Sequence, residues 1–67
     1  MKKYLYIVAL TDLRNASEMV NAHDMLSFKH AFVEAQNADG AYDAGFKAVQ
    51  LSLTESRHND YVVELPA

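Results

Sequence analysis

The sequence contains no cysteine, which excludes disulfide bonds and metal sites built from thiolates. A domain of 67 residues buries only about 60% of the surface that its unfolded chain exposes, and it usually needs a staple or a partner. Because 51% of the residues are hydrophobic and 22% are charged, without a low-complexity run, we expect residues 1–67 to fold as one small domain. Self-association would extend its limited core.

Basic residues are few: six Lys and Arg stand against nine Asp and Glu, for a net charge of −3. Nucleic-acid-binding domains usually carry a cluster of positive charge, so we expect no nucleic-acid partner. Long apolar runs are also missing, since none approaches the ~18 residues of a membrane-spanning helix. We therefore expect no membrane association and a cytoplasmic location.

The clearest element is the segment Lys3–Leu10, which predicts a β-strand because aromatic and β-branched residues dominate it. Both of its faces are apolar, which is typical of a central strand or of one covered on both sides. The next segment, Thr11–Leu26, contains several turn-forming residues. We predict that it is a loop with one short helical turn.

The segment Phe28–Ala35 fits either a strand or the first part of a long helix, because its apolar residues are compatible with both periodicities. We favour the strand, since Asn37 is a preferred helix N-cap residue and the helical pattern from Ala38 onward is complete without it. Asp43 precedes Lys47 by four residues, a spacing that supports a helix.

The apolar face of this predicted helix contains Gly45, which indicates a close approach to the sheet. After the helix we predict a polar turn, Arg57–Asp60, and a short last strand, Tyr61–Leu65, that Pro66 ends. The predicted fold is α+β, in the order β-β-α-β. It is a three-stranded antiparallel sheet with the last strand beside the first and the helix packed on one face.

No motif in the sequence indicates catalysis. Nucleophile, phosphate-binding and dinucleotide-binding motifs are all missing, and a chain this short rarely encloses a small-molecule pocket. We therefore predict no enzymatic activity, no catalytic or metal site and no cofactor. The alternative is a small metal- or ligand-binding protein that uses His23, His30 or His58, although the pair His30 and Glu34 has no third ligand near it in sequence.

The aromatic residues suggest a contact surface. If Leu5 and Ile7 pack under the helix with the alanines and valine of Phe28–Ala35, an aromatic sheet face stays uncovered, and such patches commonly mark contact with another protein. The opposite assignment, in which these rings form the core, stays open. On the first assignment, we predict contact with another protein or a second copy in a homodimer, through Tyr4, Tyr6, Phe28, Phe32, Glu34, Asp39 and Asp43.

The strand–turn–helix run FVEAQNADGAYDAGFKAV, which follows the N-terminal strand KKYLYIVAL, resembles the layout of small phage-borne inhibitors of host defence, including certain anti-CRISPR proteins. Those proteins are compact, cysteine-poor and often acidic, and they act by covering a surface of a larger machine. The resemblance spans about half of the chain and implies a phage or mobile-element inhibitor that binds a host protein. A weakly acidic nucleic-acid mimic is a further alternative.

Overall fold

The computed structural model describes residues 1–12 and 26–67. In these ranges the chain forms three strands and one helix, namely β1 (Lys2–Asp12), β2 (Leu26–Ala35), α1 (Ala38–Ala48) and β3 (Glu55–Glu64). The strands form an antiparallel sheet in the order β2-β1-β3, and α1 packs on one face of it. The predicted α+β fold is confirmed. Most of the predicted loop Thr11–Leu26 lies outside the described residues.

β1 is the central strand, as its two apolar faces indicate. Tyr6 lies opposite Ala31 of β2 and opposite Val62 of β3. The last strand therefore lies beside the first, as predicted. β1 is longer than predicted, because it continues through Thr11 and Asp12.

The segment Phe28–Ala35 is a strand, since the backbone of β2 pairs with β1 over its whole length. β2 ends at Ala35, and α1 begins at Ala38. Asn37 has an extended backbone, and its Oδ1 accepts a hydrogen bond of 2.9 Å from the Gly40 amide. This bond satisfies one of the free amides of the first helical turn, so the predicted N-cap is confirmed. In the described part of the chain, no helix is long and apolar enough to cross a membrane.

The helix covers the face of β1 that holds Tyr4 and Tyr6, whose exposed fractions are 3% and 0%. Of the two assignments that the sequence left open, the one that packs Leu5 and Ile7 under α1 with the two tyrosines outward is therefore wrong, and the tyrosines belong to the core. Residues that pair directly across an antiparallel sheet share a face. Since Tyr4 pairs with Val33 and Tyr6 with Ala31, the tyrosines share the helix side with these β2 residues, which were assigned correctly.

Small residues on α1 leave room for these rings. Ala41 packs in a cluster with Tyr4 and Ala35. A Cβ atom placed on Gly45 would lie 2.3 Å from both Cβ and Cγ of Tyr6, far inside van der Waals contact. The predicted close approach of Gly45 to the sheet is confirmed, and the element that it approaches is the central strand.

The segment Arg57–Asp60 is part of β3, so the predicted polar turn is wrong. Asp60 lies opposite Val8, but Arg57 lies opposite Leu10, so β3 contains one extra residue at this point. Such a β-bulge reverses the alternation of side chains. As a result, Arg57 and Asp60 both point toward α1, although their odd spacing in a regular strand would separate them.

Candidate protein-binding surface

The sheet face away from α1 carries a continuous set of apolar side chains, which we call the open face. Its members follow from the register: Leu5 lies opposite Phe32 and Val63, and Ile7 lies opposite His30 and Tyr61. Ala9 and Phe28, which lie opposite each other, add one more pair to the set. The open face is thus Leu5, Ile7, Ala9, Phe28, His30, Phe32, Tyr61 and Val63.

The open face is not flat. The side chains on its two edge strands project into solvent: Phe28 and Phe32 are each 69% exposed, Tyr61 is 53% exposed and Val63 is 44% exposed. The residues of β1 between them are half-buried and form the floor of a shallow trough. Aromatic rings this exposed on both edge strands of one sheet face make a patch rather than scattered single residues.

A charged pair lies at one end of the open face, and no Lys, Arg, Asp or Glu is among its members. Lys3 and Glu34 lie opposite each other at one end. Among the face's own members, the one titratable group besides the Tyr61 phenol is His30, whose ring contacts Phe32 edge-on at 5.7 Å between centroids. At the far end, Thr11 Oγ1 and His58 Nε2 form a hydrogen bond. The centre of the face therefore offers shape and apolar area, with little charge.

The structure divides the predicted partner-binding residues among three places. Phe28 and Phe32 lie on the open face, with Glu34 at its end. Tyr4 and Tyr6 are buried under α1, which removes them from any contact surface. Asp39 and Asp43 are exposed on α1, on the other side of the sheet, where Asp43 pairs with Lys47 at 3.1 Å.

Sequence reasoning missed four large side chains of the open face. Leu5 and Ile7 were assigned to the wrong side of β1, and Tyr61 and Val63 were not assigned to a face. A signal for the last two existed. They flank Val62, so the alternation along the final strand places them together on the face opposite to it.

A cluster of polar side chains lies between α1 and β3. The Tyr6 hydroxyl donates to Asp60 Oδ2 at 2.6 Å and accepts a hydrogen bond from Arg57 Nη1 at 3.1 Å. Tyr42 donates to the other carboxylate oxygen of Asp60. Arg57 also donates to the carbonyl of Val49 at 2.5 Å, near the end of α1. In the described part of the protein no buried side-chain nitrogen or oxygen lacks a partner, so this cluster joins helix to sheet rather than offering a free site.

The position of Tyr6 has a consequence for its ionisation. Burial, followed by the hydrogen bond to Asp60 and the negative charge of that carboxylate, raises the pKa of Tyr6 above the ordinary value of 10.0, although Arg57 acts in the opposite direction. A raised pKa favours the protonated phenol in the folded state. This contribution to stability is complete below pH 10.0 and is lost as the pH rises through the folded-state pKa of Tyr6.

We therefore expect an ultraviolet alkaline titration of the four tyrosines to include one phenol that ionises above the ordinary value. Tyr6→Phe removes this component, whereas Tyr61→Phe, on the open face, leaves it in place. If the component survived in Tyr6→Phe, the assignment would be wrong.

The structure brings no set of metal ligands together within residues 1–12 and 26–67. His30 and Glu34 share a face of β2, but four residues along a strand separate them by about 13 Å. His58 is engaged with Thr11. His23, the third histidine of the alternative hypothesis, lies outside the described residues.

Comparison with known proteins adds no assignment to these observations. No family model, curated protein or solved structure matches the chain. The resemblance to phage-borne inhibitors therefore stays a prediction, and the open face is the feature of the described structure from which a function can be argued.

Proposed function

We propose that the protein is a non-enzymatic interaction module whose open face binds a protein surface. The observation that carries this proposal is the contiguity of the exposed side chains Phe28, Phe32, Tyr61 and Val63 around an aliphatic trough. Burying a side chain of this size contributes about 1.5–3 kcal/mol. A patch that leaves several such side chains in water typically marks a contact site.

The chemistry of the open face favours a protein over the other classes of partner. Stacking of single-stranded nucleic acid on aromatic residues usually accompanies a basic groove. The open face contains neither Lys nor Arg, and the chain has a net charge of −3. A small molecule needs a concave site that buries most of its surface, whereas the trough is shallow. A partly flat, apolar, aromatic surface suits another folded protein.

A module of this kind acts by covering what it binds. The surface that it covers belongs either to a second copy of the chain or to a larger host protein, and in the second case the module would inhibit that protein, as the resemblance to phage-borne inhibitors implies. The proposal requires no cofactor and no catalytic group. The proposed contact residues are Phe28 and Phe32, which were also predicted from the sequence, together with Leu5, Ile7, Tyr61 and Val63. Tyr4 and Tyr6 are not among them, because they are buried.

Photo-crosslinking tests the proposal directly. A photoreactive phenylalanine analogue is placed at Phe32 in one sample and, as a matched control, at Leu53 in another. Leu53 is 100% exposed in the turn before β3 and is not a member of the open face. On irradiation in lysate of the native host, we expect protein adducts from position 32 and few from position 53. Equal labelling at both positions, or none at position 32, would contradict the proposal.

A further inference from the structure

We propose that the protein surface bound by the open face is a second copy of this chain, so that two sheets pack face to face about a two-fold axis. This inference rests on the proposed function, since it names the partner for the same surface. The dimer would have four layers, helix–sheet–sheet–helix, with a second apolar core between the sheets at the usual spacing of about 10 Å.

The distribution of apolar side chains supports a second copy. The buried hydrophobic residues of the described ranges belong to the core between α1 and the sheet: Tyr4, Tyr6, Val8, Leu10, Ala35, Ala41 and Val49. The open face carries further large apolar side chains that this core does not use. A chain of 67 residues without cysteine is in the size range where oligomerisation commonly supplies the missing core.

The area of the open face matches a small dimer interface. From Lys3 to Thr11, β1 rises about 26 Å, and three strands with their side chains are about 15 Å wide. The face therefore measures about 400 Å² in projection, and two copies would bury roughly 800–1,200 Å² of accessible surface, which is the lower end for specific complexes. We therefore expect a dimer whose population depends on concentration.

Two-fold symmetry also matches the side chains in size and polarity. A two-fold axis that is parallel to β1 and lies between the two sheets, above Ile7, places the β2 row of one copy over the β3 row of the other. Phe32 and Val63 both lie opposite Leu5, and His30 and Tyr61 both lie opposite Ile7. The bulky ring of Phe32 then meets the smaller Val63, and the imidazole of His30 meets a phenol with which it can form a hydrogen bond. Each contact occurs twice, as in any isologous interface.

Charge does not oppose this arrangement. The chain is acidic overall, but the carboxylates of α1, Asp39 and Asp43, lie on the other side of the sheet from the open face. Lys3 and Glu34, at the end of the face, have opposite charges and face each other across the strands. Two copies therefore meet through uncharged centres, with mixed charge at the rim, and the face carries no field that selects a strongly charged partner.

The test uses the purified full chain. Light scattering and sedimentation are measured from micromolar to millimolar concentration for the wild-type protein, Phe32→Asp and the matched control Leu53→Asp. We expect the wild-type mass to rise from 7.5 kDa toward twice that value. Phe32→Asp should weaken the dimer by about 100-fold or more, because two buried rings are lost and two carboxylates enter the interface. Leu53→Asp should behave as wild type.

A second measurement is independent of the variants. In a mixture of isotope-labelled and unlabelled wild-type chains, filtered nuclear Overhauser effects detect contacts between copies. We expect such contacts among open-face residues, above all between His30 and Tyr61. A doubled mass without these contacts, or a dimer that Phe32→Asp leaves unchanged, would overturn the proposal because the copies would meet elsewhere.

The outcomes also separate this inference from the proposed function. A wild-type protein that stays monomeric at millimolar concentration, but crosslinks from position 32 to a different protein, would overturn the dimer and keep the proposed function. A monomer that forms no adduct from position 32 would overturn both.

Discussion

Gly45→Ala is expected to destabilise the protein by about 2–3 kcal/mol, even though alanine is the better helix former by about 1 kcal/mol. The reason is the 2.3 Å separation between an added Cβ and the Cβ and Cγ atoms of Tyr6. Those atoms are close to the backbone of the central strand, so no side-chain rotation relieves the clash and α1 must move away from the sheet. A domain of this size has a total stability of about 3–10 kcal/mol, and the loss is therefore a large fraction of it.

Gly40→Ala is the matched control on the same helix. A Cβ there would lie 3.4 Å from the Ala35 Cβ and 3.5 Å from Asn37 Oδ1, which are ordinary contacts. We expect stabilisation of up to about 1 kcal/mol from helix propensity alone. Urea unfolding followed by circular dichroism measures both changes. If Gly45→Ala stabilised the protein as much as Gly40→Ala, the close packing of α1 on Tyr6 would be refuted.

Arg57→Ala is expected to lower the free energy of unfolding by about 2–4 kcal/mol, because hydrogen bonds to a charged group contribute about 1.5–3 kcal/mol and the cation–π contact adds to them. The guanidinium donates to the Phe46 carbonyl at 2.9 Å and lies 3.9 Å from the centroid of the Phe46 ring. It also donates to the Val49 carbonyl and to the Tyr6 hydroxyl. One side chain on β3 therefore holds the end of α1 and the central strand together.

Lys47→Ala is the control, because it removes a cation from α1 without removing a link to the sheet. Both side chains of the Asp43–Lys47 ion pair are largely exposed, so we expect a change of no more than about 0.5 kcal/mol. Arg57→Lys should fall between the two, since a lysine keeps the charge but cannot reproduce the fork of donors. If chemical denaturation found Arg57→Ala within the range of Lys47→Ala, the cluster would not anchor the helix.

Local patterns in the sequence predicted β1, β2 and α1. The β-branched and aromatic run predicted β1, and its apolar faces indicated a central position. Asn37 marked the start of α1, and this signal also resolved the ambiguous segment Phe28–Ala35 as a strand. These predictions succeeded because an N-cap, a strand pattern and a glycine on an apolar face act through neighbours close in sequence.

The last strand shows what such patterns miss. Arg57–Asp60 is polar and contains turn-forming residues, yet it lies in β3, because Arg57 and Asp60 find their partners on α1 and β1. The bulge that turns both side chains inward depends on pairing with β1. Bonds of this kind join residues about 50 positions apart in the chain, and no local periodicity records them.

By itself, the sequence determined the α+β class, the central strand, and the helix with its cap. Only the tertiary structure decided which face of β1 the helix covers. Both faces of that strand are apolar, so periodicity cannot distinguish them. Tyr4 and Tyr6 lie under α1, where they pair with Val33 and Ala31 and where the missing side chain of Gly45 leaves room for the Tyr6 ring. That choice leaves Leu5 and Ile7 on the open face beside Phe28 and Phe32.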